Sequence, residues 1–299
     1  MVDDRKQSWQ GVTLVVLSAF AFSTAGFFTR LIDTDVWTML FWRGLFGGLF
    51  IAGYILWRHG AEAAKAFRGI GRAGLVVVGC STAATICFIN ALRETTVADV
   101  LVINATAPFL TAALAWAWTG ARERWTTLAA SVVALAGVVV TVNAALASGH
   151  LLGDFLALLM TILMSIMMVV IRQHRDVSML PAACLSALLC ALVVWPWADP
   201  MSATGWNFVN LALFGTTQFG LGLLLLTIGT RLISATRSAL IGALETPLAP
   251  ALVWLAFGEV PPIATCIGGA IVLTAVLADL LTTRSNARPR QGPLQEVQA

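Results

Sequence analysis

Two charged residues sit where a charge needs a reason, Glu245 and Arg43. Each lies inside a long apolar run, and an ionisable group at bilayer depth is costly unless it is paired, hydrated or protonated. Glu245 stands about ten residues into its run, roughly 15 Å at ~1.5 Å per residue. A carboxylate at that depth could bind a cationic group or a coupling proton. It could equally clamp two helices by a hydrogen bond beside Pro247. Arg43 could receive a substrate carboxylate or pair with an acid such as Glu245. Its long stem would also let the guanidinium snorkel to the membrane interface.

Three prolines shape the runs that carry these groups. Pro108 and Pro247 remove the hydrogen bonds to the carbonyls of Asn104 and Ala243, and Pro250 removes the one to Thr246. Freed backbone at membrane depth is tolerated where it lines a cavity or is buried in protein. Pro108 and Pro247 are therefore expected hinges. Asn104 either meets a substrate or satisfies the freed carbonyls. Gln218, beside Thr216 and Thr217, has two polar functions to satisfy. Ser81 and Thr85, with Thr82 and Asn90 nearby, fall at helical spacing. Such hydroxyls line a cavity or bond backbone. Met160, Met164, Met167 and Met168 fit one broad helical face, as packing or as an adaptable wall with Met164 in it. Gly44 and Gly48 form a small-xxx-small pair for close helix approach.

The chain that must position these residues has 299 residues, 59% hydrophobic and only 11% charged. Its mean hydropathy is +0.86. Soluble domains carry about 25% charged residues. That excludes an ordinary soluble enzyme, a disordered protein and a nucleic-acid binder. A helix needs about 20 apolar residues to cross a bilayer core. Ten such spans are expected, at 10–30, 36–57, 73–92, 97–119, 125–144, 152–172, 177–198, 207–230, 236–257 and 261–282. Thr95-Thr96, Ala121 to Arg124 and Val260-Pro261 are short connections that enforce antiparallel neighbours. The five cysteines fall in apolar runs without metal-type spacing and read as small buried hydrophobes.

With the N-terminus inside, fifteen of the 18 Lys and Arg fall on the inner side. Arg30 and Arg93 fall outside, and Arg43 lies within a span. This asymmetry predicts both termini in the cytoplasm. The stretch Ala61–Phe67 suits a short interfacial helix, and 283–299 reads as a disordered cytoplasmic tail.

An internal repeat divides the ten spans. Gly11, Leu14, Leu17, Ser23 and Arg30 match Gly153, Leu156, Leu159, Ser165 and Arg172 in the same order. Pro108 falls on Pro247 at nearly the same offset, and Thr106 on Glu245. Five spans per half is odd, so the halves must enter the membrane in opposite senses, as in many secondary transporters. Ser23 and Ser165 are thus repeat mates and candidate cavity residues.

These residues resemble the drug/metabolite transporter superfamily, specifically its EamA-type ten-helix members. The likeness runs from Gly11 to Leu281 and is carried by Phe41-Trp42-Arg43, Asn90-Ala91-Leu92, Ala107-Pro108-Phe109 and Gly153-Asp154-Phe155-Leu156-Ala157. Leu244-Glu245-Thr246-Pro247 followed by Gly258-Glu259 is its most specific stretch, although Thr246 intrudes between the glutamate and the proline. In the first half the glutamate, Glu123, is displaced from the Gly-Glu pattern. The resemblance implies an all-α polytopic fold of two inverted five-helix repeats, 10–144 and 145–282, around a central cavity, with residues 1–9 as a cytoplasmic N-terminus. Spans one, three, four, six, eight and nine would line that cavity. Members move amino acids, nucleotide sugars, vitamins, small organic acids and drugs. Those of YddG type export amino acids.

The expected function is secondary transport of a small metabolite by alternating access, foremost export of amino acids or related amphipathic compounds from the cell across its inner (plasma) membrane. Uptake or exchange of a vitamin, organic cation or small carboxylate by the same fold is the alternative. The spans contain no histidine, and Glu245 has no evident acidic mate, so an intramembrane enzyme does not fit. No Gly-rich nucleotide loop is present, and no repeated pore motif suggests a channel. The substrate site is expected from Glu245, Arg43, Asn104, Gln218, Ser23, Ser165, Ser81, Thr85 and Met164. No catalytic residue, metal or cofactor is expected. The partners are a small molecule and the lipid bilayer, with no nucleic acid and a homodimer left open.

Overall fold

Seven helices among the described residues are long and apolar enough to cross a membrane: Trp9–Leu31, Val36–His59, Gly71–Glu94, Val97–Trp118, Leu151–Ile171, Leu180–Trp197 and Gly205–Gly229. They match spans one to four and six to eight to within three residues. The protein is an all-helical polytopic membrane protein. The structure, a computed structural model, describes residues 2–119, 151–174, 179–203, 205–230 and 244–263. It adds shorter pieces at 129, 132–133, 136, 232–233, 241–242, 266–271, 273–274 and 277–278. Spans five and ten, the first half of span nine, Glu123 and the tail lie mostly or wholly outside the described residues.

Several spans are interrupted. Span one consists of α1 (Val2–Ser23) and α2 (Ala25–Leu31), separated at Thr24. There the Thr24 hydroxyl donates to the Ala21 carbonyl at 2.6 Å, competing with the helical ladder. Span two is α3 (Val36–His59), capped by the Asp35 side chain, which accepts from the Thr38 amide. A short α4 (Ala63–Arg68) follows, where the interfacial helix was expected. Span three is α5 (Gly71–Glu94). Span four is α6 (Val97–Asn104) and α7 (Ala107–Thr119), broken at Ala105-Thr106. Pro108 cannot donate to Asn104, and Thr106 spends its hydroxyl on the Ile103 carbonyl at 2.7 Å.

In the second half, span six is α8 (Leu151–Gln173) and span seven α9 (Met179–Val194). Span eight begins as α10 (Gly205–Leu213), widens into a π-helix over Phe214–Leu221, and ends as α11 (Gly222–Gly229). Span nine contributes α12 (Glu245–Phe257), which starts just after a turn at Leu244. Gly258 ends it at φ 71°, a left-handed conformation that glycine adopts without strain.

The packing repeats as the sequence does. Span one lies along span eight, span three along span six, and span two along span seven. Exchanging the halves converts the first pairing into the second and leaves the third unchanged, as a two-fold relation between repeats requires. Span two meets span seven at Gly44, where a Cβ would stand 2.6 Å from the Ala187 carbonyl oxygen. The small-xxx-small expectation thus holds at this contact, and the Cys184 thiol donates to the Gly48 carbonyl at 3.4 Å beside it. Cys87, Cys184 and Cys190 are buried as expected, whereas Cys80 is half-buried and Cys266 is exposed.

Candidate functional site

The breaks of spans four and nine bring two polar side chains to similar depth. Gly26, on α2, packs between span four and span nine. A Cβ there would stand 2.7 Å from Val97 Cγ2 and 3.0 Å from Val253 Cγ2. Asn104 lies two turns along α6 from Val97, about 10 Å, and Glu245 lies eight residues along α12 from Val253, about 12 Å. Glu245, Ala249 and Val253 share one helical face by their four-residue spacing, and Ala249 and Val253 are buried. Glu245 is turned about 40° round the helix from Ala249, and α12 packs along span one. Glu245 and Asn104 are both half-buried. Among the described residues neither side chain has a hydrogen-bond or ion-pair partner.

The opposite face of α12 is different. An apolar cleft of about 490 Å³ runs between Ala98 and Val102 of α6 and Pro247, Pro250 and Trp254 of α12. Its lining offers no charge to a polar solute.

Arg43 neither snorkels nor meets Glu245. It is 5% exposed. Its Nε and Nη2 donate to Gln218 Oε1 at 3.2 and 3.0 Å. The guanidinium lies 5.1 Å from the Phe214 ring centroid and 4.9 Å from that of Phe219. Trp42 beside it donates from Nε1 to the Pro200 carbonyl at 3.3 Å and packs on Phe46 and Phe208.

The remaining expected site residues divide by what their polar atoms do. Ser23 is fully buried and donates to the Ala19 carbonyl at 2.7 Å. Ser165, its repeat mate, is also fully buried. Its hydroxyl reaches the Thr161 carbonyl at 2.8 Å and the Ala107 carbonyl at 3.3 Å. It thereby ties span six to the break in span four. Ser81 donates to Ser186 Oγ at 3.1 Å and joins span three to span seven. Thr85 is half-buried with no hydroxyl partner among the described residues. The methionines do not share one environment. Met160 is buried against Ala84 and Cys87, whereas Met164 is 37% exposed and Met168 is exposed as well. Each four-residue step rotates the stripe by about 40°, which carries it off the packed face.

A second network, absent from the sequence reading, lies at the end of the bundle where span one finishes. Arg30 donates from Nε to Glu259 Oε2 at 2.8 Å and from Nη2 to the Thr95 carbonyl at 3.1 Å. Its Nη1 donates to the Leu92 carbonyl. The Val97 amide donates to Glu259 Oε1 at 3.2 Å. The Thr95 hydroxyl lies 3.0 Å from Asp154 Oδ1 and 3.3 Å from Asp99 Oδ2. Span six therefore begins at the end where spans one and three finish, so the two halves run in opposite senses. Glu259 and Gly153-Asp154, read from the sequence only as likenesses, are contacts in this network.

The family model for EamA-like transporters matches residues 9–143 and again 151–279. The chain belongs to the EamA-like transporter family. The transporter therefore holds two EamA repeats, each spanning one half of the inverted arrangement. A protein solved by crystallography superposes with a TM-score of 0.62 at 18% identity, covering 96% of this chain and 99% of that one. That likeness supports the fold. A search of curated proteins returned no match. As an EamA-like transporter the protein is a secondary transporter of a small molecule in a membrane, and not an enzyme.

Proposed function

We propose that the transporter exports amino acids or closely related amphipathic metabolites by alternating access, with Glu245 receiving the substrate's ammonium group. The observation that carries this reading is Glu245 itself. It is a carboxylate at the broken end of α12, half-buried and without a partner among the described residues. Asn104, at the matched break of span four, offers an amide from the other repeat. A carboxylate and an amide held open between two inverted halves suit a cationic or zwitterionic solute better than an apolar one. The breaks before Pro108 and Pro247 are the hinges about which the halves rock. The membrane is the inner (plasma) membrane, and the Lys and Arg asymmetry supports cytoplasmic termini, with the Arg30 network then on the outer side. Outward movement is carried over from the YddG-type members of the family, with which the chain shares its general plan.

Counterflow in proteoliposomes tests this. Vesicles preloaded with one amino acid should accumulate labelled amino acid, and Glu245→Gln should lower that accumulation at least several-fold. Vesicles that bind amino acids without moving them would overturn the reading.

A further inference from the structure

Arg43 is a buried cation whose described partners are all neutral. Gln218 accepts from it through one oxygen, and Phe214 and Phe219 face it with their rings. No carboxylate among the described residues pairs with it. Burying an unpaired charge is expensive unless a counter-charge arrives.

The π-helix is what assembles this arrangement. At 3.6 residues per turn, an α-helix would turn Phe219 about 140° away from Phe214. The wider turn over Phe214–Leu221 brings Phe214, Gln218 and Phe219 onto Arg43 together. Such widened turns recur at functional sites.

The hydrogen-bond inventory points to one kind of occupant. Gln218 turns its oxygen to Arg43, leaving its Nε2 protons to donate. Among the described residues, neither Gln218 Nε2 nor Arg43 Nη1 has an acceptor. Two donors beside an uncompensated positive charge call for an anion with more than one acceptor oxygen, and a carboxylate fits the guanidinium edge. The site also borders the short helix that packs against span nine, which carries Glu245. Phe28 on α2 stacks on Phe214 at 5.2 Å, while Gly26 on the same short helix packs against spans four and nine.

We infer that Arg43 and Gln218 form the carboxylate subsite of the transported substrate. This inference rests on the transport reading above and narrows its substrate class to solutes bearing a carboxylate.

The test compares an amino acid, its carboxamide and its decarboxylated amine in proteoliposome counterflow, for the wild type and Gln218→Glu. Gln218→Glu gives Arg43 an internal carboxylate of nearly the same shape. Thermal unfolding of the purified variant reports whether it is folded, and stabilisation by the same three compounds reports binding. The wild type should favour the amino acid over its carboxamide by about tenfold or more, the scale of a charge-assisted hydrogen bond. Gln218→Glu should unfold at an equal or higher temperature and lose that preference in both transport and binding. Equal handling of acid and carboxamide by the wild type overturns the inference, as does an unchanged preference in Gln218→Glu. If the amines are transported but the carboxylate is ignored, only the subsite fails. If none of the three is transported, the substrate reading fails with it.

Discussion

Arg30 and Glu259, 229 residues apart in sequence, join the end of span one to the turn after span nine. The arginine also holds the carbonyls of Leu92 and Thr95, and the glutamate accepts the Val97 amide. Ends of spans one, three, four and nine are thus fastened at one point. Both side chains are about a quarter exposed, 23% and 24%, so the Coulomb part is worth no more than about 1 kcal/mol. The bonds to backbone carbonyls matter more, because they fix where the helix ends lie. Arg30→Gln should loosen this end. With the five native cysteines replaced and a cysteine placed at the buried Ala25, an impermeant maleimide should label Arg30→Gln several-fold faster than its parent. Equal rates would show that the network does not close this end.

Thr95 connects that fastening to two buried acids. Its hydroxyl contacts both Asp99 and Asp154. Thr95→Val keeps the shape and removes the hydroxyl, at a cost of about 1–3 kcal/mol for leaving a buried acceptor short of a donor. Thr95→Ser keeps the hydroxyl and should cost clearly less. Thermal unfolding in detergent separates the two, and a larger loss in Thr95→Ser than in Thr95→Val would mean that the methyl group, not the hydroxyl, matters.

Span two offers an internal control for helix packing. A Cβ at Gly44 would press on the Ala187 carbonyl oxygen at 2.6 Å, which is backbone and cannot step aside cheaply. Gly44→Ala should therefore destabilise by about 1–3 kcal/mol. Gly53, two and a half turns further along α3, has nothing within 4 Å of its built Cβ. Gly53→Ala should be neutral or stabilise by up to about 1 kcal/mol, through helix propensity alone. The two unfolding temperatures should move in opposite directions or differ by several degrees.

What the sequence exposed and what it hid follow a physical line. Spans are legible because a bilayer demands an uninterrupted apolar length. The breaks are legible where proline causes them, at Pro108 and Pro247. The break at Thr24 has no proline, only a hydroxyl that competes with the ladder, and threonines do that at many places without breaking a helix. The π-helix is equally silent, since nothing in Phe214-Gly215-Thr216-Thr217-Gln218-Phe219 distinguishes it from an α-helical run. Arg43 and Glu245 stood out by their depth, but their partners did not. Arg43 meets a neutral glutamine 175 residues away, a pairing that carries no charge signal. Ser23 and Ser165 matched as repeat mates, and both hydroxyls turned out to bond backbone carbonyls, the role that small hydroxyls commonly take in membrane helices.

The hinge assignment can be tested at Pro108. Pro108→Ala restores an N–H that can reach the Asn104 carbonyl and removes the ring that opposes a continuous helix. The Thr106 hydroxyl bond to Ile103 would remain and would hold the break partly open, so Pro108→Ala/Thr106→Val should act more strongly than either change alone. If the break serves movement rather than binding, the double variant should lower the maximal counterflow rate several-fold and leave the substrate concentration for half-maximal rate nearly unchanged. A shift in half-saturation at constant maximal rate would instead assign the break to the substrate site, through the position of Asn104.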